Sequence, residues 1–181
     1  MTTMISFRIS RVVAVVFISL LLFSCNSKKQ GKPIPSTETF SKESLIEANK
    51  LAMKTEDKQI EDFLGRVKWK MHATGTGLRY AIYENGTGQA ALPGKIAEVA
   101  YTVSLISGDT LYTSERLGNK IFTIGRGGVE SGLEEGILLL HEGDRAKFIL
   151  PSHLAYGLMG DQDKIPPKST LVYDVKLIKI K

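Results

Sequence analysis

The sequence predicts an α+β fold in which an antiparallel sheet curls around one short helix, with a helical segment ahead of it. Three observations lead there. Apolar residues recur at helical spacing between Phe40 and Gly65. From Trp69 onward the period becomes two in four separate stretches. Among those stretches a Ser-Gly-Leu-Glu start at Ser131 and a glycine at Gly143 bracket a single helical run.

The first residues carry a different signal. A basic start (Arg8, Arg11) precedes an apolar run from Val12 to Phe23 and then Ser24-Cys25. The run is short for a membrane span and has the proportions of a signal peptide over 1–24. "LFSC" resembles a bacterial lipobox, so Cys25 is expected to carry lipid and anchor the chain to a membrane. The expected location is the periplasm-facing cell envelope, with the outer membrane as the favoured site. Cys25 is the only cysteine, which rules out an intramolecular disulfide. Without Arg8 and Arg11, 22 basic residues face 19 acidic ones. That mild, dispersed excess argues against nucleic acid as a partner. Residues 25–39 are polar, contain Pro33 and Pro35, and read as a flexible tether.

The remaining 142 residues of the 181 are enough to bury a core. In 40–76, Phe40 before Ser41 and Leu45 after it fit an N-cap with a hydrophobic staple. Leu45, Ala48, Leu51 and Ala52 form an apolar stripe, expected to pack on the core. Thr55-Glu56-Asp57 opens a second helix or continues the first, with Gly65 as the stop. "LRYAIY" (78–83) places Leu78, Tyr80 and Ile82 on one face, and Asn85-Gly86 centres a turn. "AEVAYTVSL" (97–105) points Ala97, Val99, Tyr101, Val103 and Leu105 inward. Ser131 and Glu134 form a capping box for a helix whose Leu133, Ile137 and Leu140 face the strands, with Gly143 as its stop. "RAKFIL" (145–150) and "LVYDVKL" (171–177) alternate likewise, with Ala146, Phe148, Leu150 and Leu171, Tyr173, Val175, Leu177 inward.

Three blocks, "VAYTVSLISGDTLYTS", "FTIGRGGVESGLEEGILLLHEGDRAKFILPSHLAYG" and "KIPPKSTLVYDVKLIKI", resemble the successive blocks of FKBP-type peptidyl-prolyl isomerases. The resemblance runs from Gly77 to Ile180, so 77–181 is the expected isomerase domain, with an FKBP-like half-barrel sheet around its helix. "LAYGLMGDQDKIPPKSTLVYDV" behind a lipobox is similar to the gliding-motility-associated FKBP lipoproteins. The resemblance implies proline-containing polypeptide clients, exported or surface proteins and gliding-machinery proteins among them. It implies neither cofactor nor metal.

Such a reaction needs no nucleophile. A peptide bond resists rotation by about 18–20 kcal/mol because resonance ties nitrogen to carbonyl. At the twisted transition state that resonance and its charge separation are lost, so a dry, shaped pocket disfavours the planar state more. The match implies a pocket lined by Tyr101, Leu111, Tyr112, Val129, Leu133, Tyr156, Ile165 and Tyr173, with Leu133 at the floor where many relatives carry tryptophan. It sets the backbone N–H of Glu130 on the substrate carbonyl and the Tyr156 hydroxyl on a neighbouring one. Tyr156, Tyr101 and Glu130 are thus the candidate catalytic residues. Leu111-Tyr112 stand where most relatives show Phe-Asp, and that missing aspartate normally braces the pocket. A shallower or differently shaped pocket is expected. Tyr112 and Leu133 favour a second reading, a binding or scaffold module of a cell-surface complex that holds proline segments without turnover.

Other patterns are weaker. Asp161 and Asp163 lack the further carboxylates of a calcium loop and read as a surface loop. His72, His141 and His153 show no metal-ligand spacing. "GRGGVESG" lacks the Gly-Lys-Ser/Thr end of a phosphate loop.

Overall fold

The longest inward-outward alternation in the sequence is also the spine of the sheet. In the computed structural model, which describes residues 41–181, strand β3 (Ile96–Leu105) buries Ala97, Val99, Tyr101 and Val103 on one face. It runs antiparallel to β7 (Leu171–Ile180), with Tyr101 opposite Val175 and Val103 opposite Tyr173. Beyond β7 lie β6 (Arg145–Leu150), β2 (Arg79–Glu84) and the two-residue β1 (His72–Ala73), each antiparallel to its neighbour. The sheet therefore begins at His72, ahead of the expected boundary at residue 77.

The other edge of β3 is shared by two short strands. β4 (Thr110–Thr113) covers its second half and β5 (Lys120–Thr123) its first. A single helical turn, α2 (Ser114–Leu117), stands between them. Opposite that interruption, the Tyr101 N–H donates to the Ser114 hydroxyl at 3.2 Å in place of a strand partner.

Each face of the sheet is covered by a helix. On the inner face lies α3 (Ser131–Ile137), whose Leu133 and Ile137 are fully buried, with Leu140 just beyond it almost so. Two glycines set how close it lies. A Cβ at Gly136 would stand 2.6 Å from the Phe148 ring, and one at Gly132 2.7 Å from Leu150. The outer face carries α1 (Lys42–Val67), whose Ile60 and Phe63 close over Ile149 and Val172. Hence the end of β6 (148–150) and the start of β7 (171–173) are buried on both faces and read as short apolar runs. Arg79 ties α1 down through Asp57 and Glu61 (2.5 and 3.0 Å). Glu56 adds a clamp, accepting from the Ser152 N–H and hydroxyl (2.7 and 3.0 Å) and from the Thr170 hydroxyl (2.7 Å).

Several sequence expectations are corrected. Residues 42–67 are one helix, and Gly65 lies inside it. Its first half does not pack on the core: Leu45 and Leu51 are 51% and 66% exposed. The outer apolar patch formed by Ile149 and Val172 is small, and Ile60 and Phe63 suffice to cover it. The Ser131 capping box does not form. Glu130 is the N-cap residue, and its carbonyl accepts from the N–H groups of Leu133 and Glu134. The helix is capped at Leu138, while Gly143, at φ 98°, lies further on in the turn into β6. Asn85-Gly86 is not a hairpin centre, since β2 pairs with β6. Gly86 is demanded by close approach instead: a Cβ there would lie 2.3 Å from the Glu142 carbonyl oxygen. The readings placed on residues 1–39, lipidated Cys25 included, and the Phe40 staple fall outside the described residues.

Candidate active site

Four tyrosines from four segments converge at one end of the sheet. Tyr101 comes from β3, Tyr112 from β4, Tyr156 from the loop after a 3₁₀ turn (Ser152–Leu154), and Tyr173 from β7. With Val103, Leu117, Lys120, Glu130 and Asp161 they enclose a cavity of about 200 Å³. A shallower recess adjoins it, bounded by Lys120, Gly128, Val129, Glu130, Ala155 and Tyr156.

The cavity wall also holds a buried carboxylate, to which the resemblance gives no side-chain role. Glu130 stands in its wall with a side chain only 4% exposed. Its Oε1 accepts from the hydroxyls of Tyr156 (2.5 Å) and Tyr173 (2.7 Å) and from Lys120 Nζ (3.2 Å). Lys120 Nζ also lies 3.3 Å from Oε2 and 5.3 Å over the Tyr101 ring. Burial pushes the Glu130 carboxyl pKa up, but the Lys120 charge and the bonds from Tyr156, its own backbone N–H and Tyr173 outweigh that. Its pKa is held below the usual carboxylate range, so the group is ionised at neutral pH. Burial and the Glu130 carboxylate in turn raise the pKa values of Tyr101, Tyr156 and Tyr173. These hydroxyls are donors and not bases.

On the other side of the cavity Tyr112 donates its hydroxyl to Asp161. That bond, followed by burial, raises the Tyr112 pKa. Asp161 is partly desolvated, but Tyr112 and the backbone N–H groups of Asp163, Ile165 and Lys164 bring its pKa below the ordinary aspartate value. Its Oδ1 accepts from Asp163 N (2.9 Å) and Ile165 N (2.7 Å), which folds the "GDQDK" loop back on itself.

Of the residues singled out in the sequence, Tyr101, Tyr112, Glu130, Tyr156 and Tyr173 line the cavity. Val129 borders the adjoining recess. Leu133 and Ile165 are buried in the main core cluster, and Leu111 packs against it half-exposed. Lys120, Asp161, Val103 and Leu117 are cavity residues that sequence reasoning missed. For Lys120 a signal existed. Phe122 and Ile124 are buried, so alternation places Lys120 on the same inward side while Ile121 is 65% exposed. A lysine there requires an anion nearby.

Comparison with known proteins agrees with this architecture. A family model described as FKBP-type peptidyl-prolyl cis-trans isomerase matches residues 88–178. The chain is 36% identical over 163 residues to a probable FKBP-type peptidyl-prolyl cis-trans isomerase FkpA of Neisseria meningitidis serogroup B, a match covering 83% of this chain and 60% of that one. To peptidyl-prolyl cis-trans isomerase Fkbp12 of Drosophila melanogaster it is 45% identical over 89 residues, covering 48% of this chain and 82% of that one. The crystal structure of FkpA from Escherichia coli superposes with a TM-score of 0.62 at 34% identity, covering 76% of this chain and 64% of the other. With the sheet, the inner helix and half of the sequence matched, the chain belongs to the family of FKBP-type peptidyl-prolyl cis-trans isomerases.

Proposed function

We propose that the chain catalyses cis–trans isomerisation of X-Pro bonds in polypeptide clients. The observation that carries this reading is the tyrosine-walled cavity, of a size to receive a proline ring and formed within the region matched to the family. Catalysis here is differential stabilisation. The cavity walls exclude water from one side of the amide, which disfavours its charge-separated planar form relative to the twisted transition state. The Tyr156 and Tyr173 hydroxyls, kept neutral by burial and by Glu130, donate to that carboxylate and fix the cavity wall without a proton leaving either of them. Each 1.36 kcal/mol taken from the barrier is a tenfold rate gain.

A second reading, a binding module with weak turnover, is favoured by one contact: the Tyr156 hydroxyl is bound to Glu130 and must be shared with any client carbonyl. Proline-limited refolding of a model protein, followed with and without the purified full-length chain, separates the two. A slow phase accelerated in proportion to added chain supports the isomerase. An unchanged slow phase alongside measurable peptide binding supports the module.

The setting proposed for this activity is the cell envelope, with lipid on Cys25 holding the chain at the outer membrane, facing the periplasm. Exported proteins, gliding-machinery proteins among them, are the proposed clients. The support is the apolar run ending at Cys25 and the block resemblance in the sequence. Cys25→Ser is expected to move the protein from the membrane fraction to the soluble one, and full retention in membranes would sink the anchor.

A further inference from the structure

Four donors around the cavity, from Tyr112, Tyr156, Tyr173 and Lys120, are already engaged with carboxylates. Tyr156, Tyr173 and Lys120 all point at Glu130 Oε1, whereas Oε2 has only Lys120 at 3.3 Å. What this wall offers a client is therefore an acceptor with unfilled lone pairs. Asp161 adds a second carboxylate, and the hydroxyl that binds it comes from neutral Tyr112. Among the charged side chains lining the cavity, Glu130 and Asp161 stand against Lys120 alone. The cavity lining thus carries one excess negative charge.

We infer that Glu130 is a specificity-determining residue that makes this site prefer prolines preceded by lysine or arginine over those preceded by glutamate or aspartate. The inference rests on the isomerase reading, because it assumes that the proline ring enters this cavity. A residue bonded to that proline has its side-chain charge within several ångströms of the Glu130 and Asp161 carboxylates. At such separations, partly screened, like and unlike charges differ enough to change the rate constant by roughly three- to tenfold. A cation can approach Oε2 without displacing Tyr156 or Tyr173. An anion meets two carboxylates against one lysine.

The test uses the purified full-length chain and four peptides identical except for leucine, lysine, arginine or glutamate before proline, with kcat/KM measured at low and high salt. The lysine and arginine peptides are expected to exceed the glutamate peptide by roughly three- to tenfold at low salt, with the gap narrowing at high salt. Glu130→Gln and, should that variant fold poorly, Glu130→Leu are expected to collapse the lysine-to-glutamate ratio of kcat/KM, whatever the change in absolute rate. Equal kcat/KM for lysine and glutamate peptides at low salt, with the leucine peptide turned over, overturns the preference and leaves the isomerase reading standing. A gap that persists in both well-folded variants overturns the role of Glu130. If no peptide is turned over, the isomerase reading fails and this inference falls with it.

Discussion

Replacing Tyr173 with phenylalanine tests whether the buried carboxylate organises the site. The Tyr173 side chain is fully buried and its hydroxyl donates to Glu130 Oε1 at 2.7 Å. Water cannot replace a donor at that depth, so the loss is that of a hydrogen bond to a charged group, about 1.5–3 kcal/mol. For a folded unit of this size that corresponds to a fall of about 6–12 °C in Tm. The pH dependence has a definite sign. Glu130 has its pKa lowered in the folded state, so its contribution is present above the unfolded carboxylate pKa and is lost as pH falls through the folded value. Removing one donor raises that folded value, so acid unfolding of Tyr173→Phe is expected to begin at higher pH than in the parent. Thermal and acid unfolding followed by circular dichroism give both readouts. A double-mutant cycle with Glu130→Leu isolates the contact, since without the carboxylate the phenylalanine should cost nothing or stabilise. Equal costs for Tyr173→Phe in the two backgrounds would refute the argument, because the bond to Glu130 would then not be what holds the hydroxyl.

Gly136→Ala pushes a methyl to 2.6 Å from the Phe148 ring and is expected to destabilise by about 1–3 kcal/mol in denaturant titration. Gly65→Ala meets nothing within 4 Å inside α1 and should stabilise by about 0.5–1 kcal/mol; a loss there would contradict a continuous helix. Glu56→Gln weakens the clamp on Ser152 and Thr170 and is expected to cost about 1–2 kcal/mol, read by the same titration. Tyr112, Tyr156 and Tyr173 have raised pKa values when folded, so the stability they confer is intact below the unfolded tyrosine pKa and is lost as pH rises through the folded values. Tyrosinate absorbance should therefore reach its full value only together with loss of near-ultraviolet dichroism, and full ionisation of an intact fold would contradict these environments.

Much of the sheet was legible because period two is a direct consequence of strand geometry, and β2, β3, β6 and β7 carry it plainly. β4 and β5 escaped notice because α2 splits them into four-residue pieces too short for a pattern. Pairing was not legible at all: nothing local in "LRYAIY" says that its neighbour is β6 and not β3. The tyrosines of the site were found through family blocks. The family resemblance gives a role only to the backbone N–H of Glu130 and says nothing of its side chain. Its partners Lys120, Tyr156 and Tyr173 lie 10, 26 and 43 positions away, and a buried charge is intelligible only once they are assembled. The Tyr112–Asp161 bond, 49 positions apart, is hidden for the same reason.

The place of β7 between β6 and β3 has a consequence for how the chain acquires its structure. Every other strand precedes β7 in synthesis, yet β7 occupies the middle of the sheet. Until it is made, β3 and β6 have no common neighbour, and Tyr173, which completes the donor set of the site, has not been delivered. Such non-local pairing is slow, and the unfinished chain exposes two unsatisfied strand edges. The contact between Tyr173 and Glu130 therefore forms only with the step that closes the sheet.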